Sequence, residues 1–206
     1  MQYKTISSRC EAKFVEKKSE FIGYLAPVST EEEAVSFINE IRGMHRKAAH
    51  NCYAYILREN SIARHSDDGE PSGTAGVPIY EVLRKEELTD IVCVVTRYFG
   101  GVLLGAGGLV RAYTKGAKDA VDNAEIKVMA MAEALRLSLD YTLYGRLGQI
   151  FAEFDTRVYN EEFGEGVEIS LHVREERSRE LQSKLIDSCN GKVEIEVIGK
   201  DWYNFA

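Results

Sequence analysis

Two stretches of this sequence collect residue types that could do chemistry. The first runs His65-Ser66-Asp67-Asp68-Gly69-Glu70-Pro71-Ser72-Gly73-Thr74-Ala75-Gly76-Val77-Pro78. Three carboxylates and an imidazole within six residues could hold a hard divalent cation or exchange protons with a substrate. The candidate catalytic residues are therefore His50, His65, Asp67, Asp68 and Glu70, with Asp67, Asp68 and Glu70 the candidates for a metal. The D-x-[DN]-x-[DN]-G register of a calcium loop is missing, and no second histidine follows within the segment at a spacing suited to zinc. Asp, Ser and Gly also form ordinary turns, because their side chains bond to their own backbone. On residue types alone that turn reading leads, and neither a metal nor a cofactor is expected.

The second stretch carries Gly100, Gly101, Gly105, Gly107 and Gly108. It lies between the apolar run 90–96 and a helix expected from about Leu109 to Asn123. A strand, a glycine-rich loop and a helix N-terminus can together hold an anion, since unpaired N–H groups of the first turn face the ligand. Arg97 precedes the loop, while Arg111, Lys115 and Lys118 follow at i, i+4 and i+7, on one helix face. These residues and the five glycines form the candidate anion- or nucleic-acid-binding set. The loop matches neither G-x-x-x-x-G-K-[ST] nor G-x-G-x-x-G, since Val110 stands where the last glycine would be. Close helix–strand packing explains glycines equally well, and a Lys/Arg stripe can be a solvated face. Both readings stay open.

The elements that would position these residues can be read from periodicity. Residues 11–28 read as two strands around the charged turn 16–20. Thr30 and Glu33 form a capping box for a helix that ends near Gly43, with Ala34, Val35, Ile38 and Ile41 as its apolar stripe. Residues 51–57 read as a strand, 65–78 as a loop, 81–87 as a short helix, and 90–96 as a strand buried on both faces. From residue 134 the order is strand, helix, strand, strand, helix, strand, which is that of a ferredoxin-like unit. The closing Trp202, Tyr203 and Phe205 read as an aromatic tail packed on its domain.

Charge divides the chain at the same place. The 206 residues hold 26 Lys/Arg and 33 Asp/Glu, a net of −7. Residues 1–130 carry 17 against 18, a net of −1, and residues 131–206 carry 9 against 15, a net of −6. Two domains, 1–130 and 131–206, are expected, and a coat of bulk positive charge around nucleic acid is excluded. No apolar run approaches the ~18–20 residues that span a bilayer, so no membrane partner is expected and the setting should be cytoplasmic. Cys10, Cys52, Cys93 and Cys189 are scattered singly, as suits free thiols in a reducing compartment.

K-A-A-H-N-C-Y-A-Y (47–55), the 65–78 segment and V-T-R-Y-F-G-G-V-L-L-G-A-G-G-L-V-R-A-Y (95–113) resemble the signature blocks of the IMPACT/YigZ family. The resemblance implies an α+β protein: an N-terminal domain like ribosomal protein S5 domain 2, then a C-terminal ferredoxin-like βαββαβ domain like elongation factor G domain V. Eukaryotic IMPACT proteins inhibit a stress kinase of translation initiation with the help of an additional RWD domain, a role not expected to transfer. The expected function is a non-enzymatic binding protein in translation regulation. RNA, the ribosome or a translation factor would meet the first domain, and a protein partner would meet the acidic second one. The alternative is a metal-assisted enzyme acting on a small phosphorylated or carboxylated ligand, which requires both stretches to meet in one cleft.

Overall fold

The structure, a computed structural model, describes residues 2–206. It is α+β and divides into two compact units, Tyr3–Lys127 and Val128–Ala206, the latter with Gln2.

In the first unit the elements are β1 (Gln2–Ile6), β2 (Cys10–Glu16), β3 (Ser19–Pro27), α1 (Glu31–Met44), β4 (His50–Leu57), β5 (Ile62–Ser66), α2 (Gly76–Lys85), β6 (Ile91–Tyr98) and α3 (Ala106–Asp122). An antiparallel sheet runs β2-β3-β6-β4-β5. Its central strand β6 is buried on both faces. Val92 and Val94 point to α1, whose Ala34, Phe37, Ile38 and Ile41 cover that side. Ile91, Cys93 and Val95 point to the opposite layer, built by α2 and α3. A continuous apolar run is what two-sided burial demands.

Local chemistry sets the helix boundaries. The Thr30 hydroxyl accepts from the Glu33 N–H at 3.2 Å, and the Glu33 carboxylate accepts from the Ser29 N–H at 2.6 Å. The capping box thus closes one residue earlier than its usual form. Phe37 replaces Val35 in the buried stripe, and Val35 is exposed. The helix read at 81–87 is α2, and it starts earlier, at Gly76, because a distant carboxylate caps it. Pro78 lies in its first turn, where its missing N–H leaves no gap. Likewise α3 starts at Ala106 on an N-cap Gly105, which places Gly107 and Gly108 in the first helical turn and not in the loop. Strands β1 and β5 had no legible signal, being short and weakly alternating.

The second unit comprises β7 (Ile126–Leu139), α4 (Tyr141–Tyr144), α5 (Leu147–Glu153), β8 (Arg157–Phe163), β9 (Val167–Arg174), α6 (Glu175–Ser188) and β10 (Val193–Asn204). Its strands lie in the order β10-β7-β9-β8, all antiparallel, which is the βαββαβ arrangement. Leu135, Leu137, Ile169, Leu171 and Val173 face Leu147, Ile150, Leu181 and Leu185 of the helices. The aromatic tail is mostly strand: Trp202 and Tyr203 belong to β10, and Phe205 is buried beside Ala130 and Ala132. No helix among the described residues is long and apolar enough to cross a membrane.

Candidate functional site

Both sequence stretches emerge at one end of the first sheet. His50 opens β4 opposite Arg97 near the end of β6, and Ser66 closes β5 opposite Tyr53. The loops that leave β5 and β6 therefore start side by side, each running into a helix.

Glu70 ties the two loops together. Its Oε1 accepts from Arg97 Nη1 at 2.6 Å and from the Tyr113 hydroxyl of α3 at 2.7 Å. Glu70 and Arg97 are only 8% and 5% exposed. The Arg97 guanidinium lies 5.6 Å from the Phe21 ring and 5.5 Å from the Phe99 ring, and its buried Nε has no hydrogen-bond partner in the protein. His50 joins from the rim. Its Nδ1 is 2.8 Å from the Asp68 carbonyl oxygen, which can only accept, so Nδ1 carries a proton. Its Nε2 stands 3.8 Å from Glu70 Oε2. Burial pushes the neighbouring Cys52 thiol up to about 12 and drives the Tyr113 hydroxyl far above its ordinary range. Both are held in their neutral forms and neither is primed as a nucleophile.

The remaining carboxylates are engaged. Asp67 accepts from the N–H groups of Gly73, Ala75 and Gly76 at 2.8–2.9 Å and so caps α2 from nine residues before its first residue. Burial opposes its charge, but the three N–H donors outweigh it and hold the carboxyl below the ordinary range. Asp68 accepts from Arg42 Nη2 at 2.6 Å and from the Asn51 N–H at 2.7 Å. Among the described residues no group of three or more His, Cys, Asp and Glu side chains is arranged to hold a metal ion. His65 is exposed on β5 with its ring 6.2 Å from Tyr80, and it does not join His50 and Glu70. The carboxylates on which a metal-assisted mechanism would draw are thus holding the loops in shape.

The glycines divide by role. A Cβ on Gly100 would fall 2.0 Å from the Lys18 backbone, so this glycine lets two loops pass in contact. A Cβ on Gly107 would meet only Arg111 Nη1, at 3.9 Å. The first turn of α3 has no side-chain cap and no acidic residue. Arg111 and Lys115 line a hollow of about 200 Å³ with Phe14, Glu16, Lys17, Leu104, Gly108 and Ala112. Lys118 does not belong to it: its ammonium turns to Glu86, 3.1 Å away, and to Asp122. Lys115 is itself 2.6 Å from Asp119. The single basic face expected from helical spacing is divided, and Arg97 is spent on Glu70. Beside the hollow, Phe99, Val102 and Leu103 stand out from the loop, Leu103 81% exposed.

Several participants were missed at the level of residue types. Tyr113 occupies the inner face of α3, where a buried hydroxyl needs a partner, and that requirement was its only signal. Lys17 is far away in sequence. His45, just past the end of α1, bridges two tyrosines, with Nε2 2.7 Å from the Tyr24 hydroxyl and Nδ1 2.8 Å from the Tyr98 hydroxyl.

Comparison with known proteins gives matches over both units. Residues 17–121 match the family model described as the Impact N-terminal domain, and residues 137–192 match a domain of unknown function (DUF1949). The chain is 40% identical over 195 residues to IMPACT family member YvyE of Bacillus subtilis (strain 168), covering 94% of this chain and 90% of that protein. It is 31% identical over 185 residues to IMPACT family member YigZ of Escherichia coli (strain K12), covering 88% and 91%. A solved structure described as "Crystal structure of an hypothetical protein" superposes with a TM-score of 0.61 at 28% identity, covering 96% of this chain and 98% of that one.

Proposed function

This chain belongs to the IMPACT family, and on that premise we propose that it is a binding protein of the translation apparatus, not an enzyme. Its first unit meets the phosphate backbone of RNA, free or within the ribosome, and it works in the cytoplasm. One observation carries the reading. Gly108, in the uncapped first turn of α3, lines a hollow with three cations, Arg111, Lys115 and Lys17, against one carboxylate, Glu16, while Asp67, Asp68 and Glu70 are turned to protein donors. Free N–H groups beside cations suit a phosphate. The exposed Phe99 and Leu103 next to them offer apolar and stacking surface that an unpaired base can use.

The test is binding of the full chain to single-stranded RNA and to ribosomes across a salt series. Affinity falls steeply with salt, and Arg111→Ala with Lys115→Ala lowers the salt slope by about 2, one for each lost phosphate contact. Salt-independent binding, or no loss in the double variant, overturns the reading.

A further inference from the structure

The second unit has a sheet face that its own helices do not cover. Ile169, Leu171 and Val173 of β9 point to α5 and α6, so Glu168, Ser170 and His172 point the other way. Strand register extends this open face across all four strands. Glu162 lies opposite Glu168, Glu168 opposite Ser138, and Ser138 opposite Glu194. Neighbouring strands are about 4.8 Å apart, so three exposed glutamates share one row. Directly opposed like charges destabilise a sheet. Yet among the described residues none of the three has a Lys or Arg partner, and Glu162 accepts only from Asn160. The row between holds Ser170 and Arg136, the latter paired with Glu196 at 3.1 Å. Two rows on, the same face becomes aromatic, with Arg157 opposite His172 and already paired with Asp155. The His172 ring stacks on Tyr203 at 4.0 Å and lies tilted against Tyr159 at 4.7 Å, and Tyr159 is 50% exposed. Burial holds the His172 pKa below the ordinary range, so this ring adds no positive charge to the stack at neutral pH. Glu168 and His172 are four residues apart, about 13 Å along the strand.

We propose that this open face docks an arginine-bearing polypeptide segment of a partner protein, one cation resting on the glutamate row and another guanidinium on the Tyr159–His172–Tyr203 stack. The charge sign selects the occupant: a phosphate backbone would be repelled by the row, whereas guanidinium groups both pair with carboxylates and stack on aromatic faces. A repulsive glutamate pair retained on an uncovered face is relieved when a cation arrives.

The experiment is fluorescence anisotropy of the full chain with a labelled peptide of alternating Arg and Gly, compared with an alternating Glu and Gly peptide and a single-stranded RNA. The Arg peptide binds with an affinity that falls with salt, the Glu peptide does not bind, and amide shifts map to residues 157–172 and 194–203. Glu162→Gln with Glu168→Gln weakens binding about tenfold or more while leaving the melting temperature equal or higher, because repulsion is removed. Tyr159→Ala weakens it separately, and Arg111→Ala with Lys115→Ala leaves it unchanged. Absence of peptide binding, equal affinity in the glutamate double variant, or tighter occupation of this face by RNA overturns the proposal.

Discussion

Arg97 Nη1 and Glu70 Oε1 are 2.6 Å apart in an interior where both side chains are nearly sealed from water. Each comes from a different sequence motif, so this one ion pair joins the two loops at the end of the sheet. Removing one partner leaves the other charged and buried. Glu70→Ala is expected to cost about 3–5 kcal/mol in urea unfolding, and Glu70→Leu with Arg97→Met to restore much of it. Equal stability of the single and double variants would show that the pair does not hold the loops.

Asp67 makes stability depend on acid. Its folded pKa is below the ordinary 3.8, so its stabilisation is complete above that value and is lost as pH falls through the folded one. Asp67→Asn should lower stability at pH 7 by about 0.5–2 kcal/mol, the range for a lost helix cap. It should also flatten the part of the stability curve below about pH 4. Thermal unfolding from pH 2 to pH 7 checks both.

Two glycines, one in the loop and one in the first turn of α3, should respond in opposite directions. Gly100→Ala drives a Cβ into the Lys18 backbone and is expected to destabilise by roughly 3 kcal/mol, the upper end for overpacking. Gly107→Ala meets open space inside a helix and is expected to stabilise by about 0.5–1 kcal/mol. If the proposed phosphate contact is made there, the same change weakens RNA binding. Denaturant midpoints and RNA titrations of the two variants separate these effects.

Thiol reactivity should follow burial. Cys52, Cys93 and Cys189 are buried and Cys10 only partly so, and burial raises the pKa of all four. A disulfide reagent at pH 8 should modify Cys10 slowly and the others only on unfolding. Rapid labelling of Cys52 in the native protein would contradict the closed cluster around Glu70.

The amino-acid sequence by itself determined the α+β class, the two-sided burial of residues 91–95, the capping box at Thr30 and Glu33, and the βαββαβ order of the second unit. These follow from periodicity and caps, which act over a few residues and are legible wherever the pattern is strong. It also marked both motif stretches and, with His50 outside them, four of the residues that meet at the sheet end: His50, Asp67, Asp68 and Glu70. Only the tertiary structure decided what those residues do. Asp67 became a helix cap and Glu70 an anchor for Arg97 because a carboxylate in a folded chain takes the donors that surround it, and those donors are supplied by β4, β6, α2 and α3. Helical spacing placed Lys118 beside Arg111 and Lys115, but Glu86, just past the end of α2, drew it away. The sequence placed −6 of the −7 net charge in residues 131–206, but only strand pairing gathered Glu162, Glu168 and Glu194 into one row. Backbone pattern is local, whereas charge pairing is settled by whatever the fold brings within a few ångströms.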